Sequence, residues 1–185
     1  MEGEKGDLEK VVSDEASNKD AGKLIDLFEQ GDIDAAGKII TELKPSEEVI
    51  QSAEVQSAAK ARVIECLEYG NTDSIRKIIT RFKLSEEFVE SAAKAGVIDL
   101  LEQGYIYPAS KIITELKLSE EVIQSAEVQS AAKAGVLKRL EQGNIDAASK
   151  IITRFRLSKE FVESAAKAGV RKTLVYKLLG MSGSK

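Results

Sequence analysis

The chain has 185 residues, 43% of them hydrophobic and 31% charged, with a formal net charge of −4. That apolar content suffices for a packed core and excludes a disordered polar chain, while the acidic balance offers no general attraction to nucleic acid or to an anionic membrane surface. There is no His, and Cys66 is the single Cys. Histidine-based acid–base work, histidine metal sites, thiolate zinc sites and an intrachain disulfide framework are therefore excluded.

Residues 1–20 carry seven acids and three bases, and Met1 is followed by no apolar signal-like run. This stretch reads as a polar N-terminal cap segment ahead of a single helical-repeat domain over 21–180. Residues 12–31 align with 85–104, but Glu15, Lys19 and Asp20 stand where the later copy has Phe88, Ala92 and Ala93. The terminal unit of a stacked array needs such a polar outer face.

The first helical pattern ends at Gly31. Equivalent glycines follow at Gly70, Gly104 and Gly143, with spacings of 39, 34 and 39 residues. Glycine after a helix can take φ > 0 and close the last turn. Asp32, Asn71 and Asn144 then stand where a side chain can cap the next helix, and Tyr105 occupies that place in the third unit. In the first unit the next helix shows an apolar stripe, Ile33, Ala36, Ile40 and Leu43. Its last-unit counterpart is Ile145, Ala148, Ile152 and Phe155. Lys44-Pro45-Ser46 ends the first of these helices, because proline cannot continue it. New helices start after Ser46, Ser85, Ser119 and Ser158, each a good N-cap followed by acids that suit a helix N-terminus.

Units of 39 and 34 residues alternate because VIQSAEVQSAAKA (49–61) matches FVESAAKA (88–95) once EVQSA is removed, the two differing only in their first three residues. Five extra residues turn a helix by a net ~140° and lengthen it by ~7.5 Å. One apolar face cannot survive that shift, so the sequence predicts a phase change or a break near Ser52–Gln56. The strict period is thus 73: residues 38–97 and 111–170 align without a gap, with 48 of 60 positions identical. After Val170 the repeat pattern is lost. Residues 156–185 carry seven bases and two acids, and 181–185 read as a disordered tail.

The expected fold is all-α, an αα-hairpin repeat solenoid with alternating 39- and 34-residue units. QGNIDAASKIITRF (142–155) resembles the second helix of a tetratricopeptide repeat, with Ala148 five residues after Gly143, and the 34-residue unit matches that family's length. The resemblance covers most of 21–170. It departs where every other unit is 39 long and where Trp and Tyr are missing from the first helix. It implies a right-handed α-solenoid that binds peptides or proteins. Pentatricopeptide repeats, which bind RNA, are a weaker match.

Between the two 60-residue copies, nine of the 12 differences fall within 62–76. In the third unit, Tyr105, Tyr107 and Pro108 replace Asp32, Asp34 and Ala35. Such changes belong on a ridge around the inter-helix turns. Either that edge drifts freely, or it is diversified to meet a partner through Arg62, Glu65, Tyr69, Arg76, Tyr105 and Tyr107. Tyrosines favour the second reading, being enriched at interface hot spots. Arg81 and Arg154 alternate with Glu42 and Glu115 along the repeats and read as a solvated helix face.

The expected function is a non-enzymatic scaffold that binds a protein or peptide, with no cofactor, no metal and no membrane span, in the cytoplasm. The opposite charges of the two ends also allow head-to-tail self-association. A nucleic-acid-binding helical repeat is the alternative class, disfavoured by the charge. An engineered or consensus-like array is another, given the identity between copies.

Overall fold

The structure, a computed structural model, describes residues 19–167. The terminal stretches 1–18 and 168–185, with most of the expected N-terminal cap and all of the tail, lie outside the described residues. Among the described residues every regular element is a helix. These are α1 (residues 19–29), α2 (Ile33–Leu43), α3 (Glu47–Ile50), α4 (Ala53–Glu68), α5 (Thr72–Phe82) and α6 (Glu86–Glu102). They continue with α7 (Ile106–Glu115), α8 (Glu120–Ile123), α9 (Ala126–Glu141), α10 (Ile145–Phe155) and α11 (Lys159–Lys167).

Helix boundaries follow local chemistry. Gly31, Gly70, Gly104 and Gly143 have φ of 77°, 64°, 78° and 73°. At the first of these, Gly31 N–H donates to the Phe28 carbonyl and Asp32 N–H reaches back to Leu27 at 2.9 Å, closing the α1 C-terminus. Asp32, Asn71 and Asn144 accept from the N–H groups of Ala35, Ser74 and Ala147. Tyr105, in the same place before α7, makes no side-chain cap. Ser46, Ser85, Ser119 and Ser158 cap the following helices through Oγ. What the sequence does not announce is the backbone conformation that follows α2, α5, α7 and α10. Lys44, Lys83, Lys117 and Arg156 take left-handed φ of 45–55° without being glycine. Their charges lie at helix C-termini, where cations are favoured, and Lys83 and Arg156 go on to Glu47 and Glu120 at 2.7 and 3.0 Å.

The EVQSA insertion is accommodated by a break. α3 stops at Ile50, Gln51 and Ser52 are non-helical, and α4 begins at Ala53. The second copy breaks identically between α8 and α9, whereas the short unit runs unbroken as α6. A residue of the insert secures the break. Gln56 Nε2 donates to the carbonyls of Ile50 (2.9 Å) and Phe82 (2.8 Å), joining the ends of α3 and α5. Gln129 repeats this on Ile123 (3.2 Å) and Phe155 (3.0 Å). Gln56→Leu should therefore cost the first unit about 1–3 kcal/mol, two hydrogen bonds at about 0.5–1.5 each. Urea titration monitored by circular dichroism would measure it, and a loss under about 0.5 kcal/mol would deny the glutamine this role.

The described residues form two compact units, one of residues 19–66 with 71–89, the other of 67–70 with 90–167. In the first, α2 packs on α5. Leu24, Phe28, Ala36, Val55, Val63, Ile75, Ile78 and Phe82 are buried there, with the rings of Phe28 and Phe82 edge to face at 4.6 Å. In the second, α10 packs on both α9 and α7, and Leu101, Ile112, Ala132, Val136, Ile151 and Phe155 are buried.

The predicted stripes hold only in part. Ile33 and Ala36 are buried, but Ile40 is half-buried and Leu43 is 50% exposed. In α10 the buried line is Ala148, Ile151 and Phe155, with Ile152 beside it. Adjacent isoleucines at 151 and 152 made the pattern ambiguous, since either fits a 3.6-residue period.

Candidate functional site

Several positions that vary between the copies lie inside the packing and not on the ridge around the inter-helix turns where the sequence places them. Cys66, Thr72 and Ile75 are buried, and burial pushes the Cys66 thiol up, making it a poor nucleophile at neutral pH. Gly135, the counterpart of Arg62, is also buried: a Cβ there would lie 2.3 Å from the Leu101 carbonyl oxygen.

These changes compensate one another. The first copy has Arg62 and Cys66, and the second has Gly135 and Arg139, so the arginine has moved four residues, about one helical turn. In both it covers the preceding glycine turn. The Arg62 guanidinium lies over Gly31, where a Cβ would sit 2.9 Å from Nη2. Arg139 Nε donates to the Gly104 carbonyl at 2.7 Å, and its guanidinium stands 5.5 Å from the Tyr105 ring centroid.

Within each unit the candidate residues do not share one surface. In the first unit, Arg62 pairs with Glu65. Both line a groove of 510 Å³ between α1 and α4, together with Ile25 and Phe28. Arg76 instead lines a 660 Å³ groove along α5 with Asp73, Lys77 and Arg81. In the second unit Tyr69 is exposed at the turn after α4, and Tyr105 packs against Arg139. Tyr107 is 79% exposed and lines a 470 Å³ groove between α7 and α10 with Ser110, Ser149, Lys150, Thr153 and Arg154.

Sequence reasoning missed Lys150, Arg154 and the hydroxyls around them. The available signal was the alternation of arginine and glutamate at 42, 81, 115 and 154, which reads as a mere solvated face until the partners of each arginine are seen. Arg81 donates to the Ile33 carbonyl at 3.2 Å. It crosses α2 at Gly37, where a Cβ would lie 1.8 Å from its Nη1. The second copy has Ser110 in place of Gly37, and Arg154 instead donates to Thr114 Oγ1 at 3.3 Å.

Beside Arg81, Asp34 accepts from Lys77 Nζ at 2.8 Å and lies 4.0 Å from Arg81 Nη1. The hydrogen-bonded Lys77 ammonium holds the Asp34 carboxyl below the usual carboxylate range. Among the described residues no group of three or more His, Cys, Asp or Glu could hold a metal ion, and no helix is long and apolar enough to cross a membrane. No known protein family, curated protein or solved structure matches the chain.

Proposed function

We propose that the chain is a non-enzymatic helical-repeat scaffold, a tetratricopeptide-like α-solenoid, that binds a protein or peptide partner. One observation carries this reading: equivalent positions keep their structural duties while their exposed chemistry changes. The glycine turns, the serine caps and the paired glutamine bonds recur in both copies. On the same backbone, exposed Asp32 and Asp34 become Tyr105 and Tyr107, and Tyr69 stands where the second copy has Gln142. Exposed tyrosines are poor choices for solubility and good ones for contact, since a rigid ring buries much area at small entropic loss.

The test is retention of proteins from a lysate of the source organism, followed by affinity measurement on the purified partner. Tyr105→Asp with Tyr107→Asp should leave helicity and melting almost unchanged, because the first unit carries aspartates at both places. Partner affinity should fall by ~2 kcal/mol, about thirtyfold. A double variant that unfolds would make the tyrosines structural. One that folds and binds equally would make them bystanders.

A further inference from the structure

The groove between α7 and α10 is the first unit's α2–α5 site with its acid removed. The 73-residue offset places Tyr107 where Asp34 stands, Lys150 where Lys77 stands and Arg154 where Arg81 stands. In the first unit the chain satisfies its own cations, with Asp34 on Lys77 at 2.8 Å and near Arg81. In the second both cations persist, and among the described residues no carboxylate pairs with either. Among the described residues Arg154 has only the neutral Thr114 hydroxyl. The lining adds three hydroxyl groups, Ser110, Ser149 and Thr153, along with Ile106 and the exposed Tyr107 ring, and contains no acid.

We infer that the α7–α10 groove receives a carboxylate side chain from an acidic peptide segment of a partner protein, held by Lys150 and Arg154 beside Tyr107. This rests on the reading of the chain as a peptide-binding repeat and names the partner's chemistry. The first unit supplies the precedent, a carboxylate seated on the equivalent lysine within reach of the equivalent arginine. Charge complementarity selects an acid, and the ring offers an apolar wall for the stem of a glutamate or its neighbours. Two cations suit a carboxylate in a peptide better than a nucleic-acid backbone, which is bound through many phosphate contacts and is repelled by the net charge of −4.

The experiment titrates the full chain into a fluorescein-labelled alternating Glu-Ala peptide and its Gln-Ala counterpart at low salt, by anisotropy. The Glu-Ala peptide should bind about fivefold tighter or more, with the difference shrinking as salt is added. Lys150→Ala with Arg154→Ala should abolish that preference. So should Tyr107→Asp, by restoring the internal acid, whereas Ser91→Asp, the same charge on exposed α6 surface, should preserve it. Circular dichroism would confirm that each variant is folded. Equal binding of the two peptides, a preference that survives the double alanine change, or equal losses from the two aspartate variants would overturn the inference. So would displacement of the peptide by a single-stranded oligonucleotide at lower concentration than by free Glu-Ala peptide. A purified partner that binds the double alanine variant as well as wild type would sink this inference and leave the scaffold reading standing. If no partner is retained, the scaffold reading fails, and the peptide titration still decides the groove.

Discussion

Phe82→Ala is expected to destabilise the first unit by about 3–5 kcal/mol, the usual effect of emptying a fully buried aromatic site. Phe82 closes α5 with 0% of its surface exposed, and its ring meets Phe28 edge to face at 4.6 Å and 62°. Its backbone carbonyl also accepts the Gln56 side chain, so a shift of the α5 end would disturb α3 as well. Phe155→Ala offers an internal comparison. Phe155 is equally buried and its carbonyl takes the same glutamine bond, but Leu101 stands where the first unit has Phe28. Its loss should be smaller by about 0.5–1.5 kcal/mol, the share of the aromatic pair. Denaturant titration of both variants would show it. Equal losses would mean that the ring pair adds nothing beyond area, and losses below about 1 kcal/mol would place these rings outside the core.

Gly135→Arg, which gives the second copy the residue of the first, is expected to cost about 3 kcal/mol or more. A Cβ at 135 would lie 2.3 Å from the Leu101 carbonyl oxygen, so the contact is with backbone and cannot be relieved by rotating a side chain. Arginine would further need to bury a charge beside Arg139. Gly135→Ala separates the two effects. It gains about 1 kcal/mol of helix propensity and loses about 1–3 to overpacking. The net should therefore lie between no change and a loss of about 2 kcal/mol, against the stabilising trend for replacing glycine in a helix. Gly22→Ala is the control, since nothing lies within 4 Å of a Cβ there, and it should stabilise by about 0.5–1 kcal/mol. Thermal melts of the three variants decide the matter. If Gly135→Ala is stabilising, the close approach at Leu101 does not constrain the packing.

The amino-acid sequence by itself determined the helices, their ends and the repeat. Those features depend on contacts within a few residues: glycine supplies φ > 0 after α1, α4, α6 and α9, and serine, asparagine or aspartate oxygens reach N–H groups three residues on. The break at the insertion was legible for the same reason, because a five-residue insertion is incompatible with a 3.6-residue period. Only the tertiary structure decided which variable residues were surface and which were core. Arg62 and Arg139 do one job from positions a helical turn apart, so a position-by-position comparison scores them as two unrelated changes. Cys66, Thr72 and Ile75 vary between the copies yet are buried. The groove around Lys150 and Arg154 depended on distance in the same way. Whether a lysine is satisfied or open is set by a residue 43 positions away, where Asp34 reaches Lys77 and Tyr107, at the same offset, supplies Lys150 with no acid.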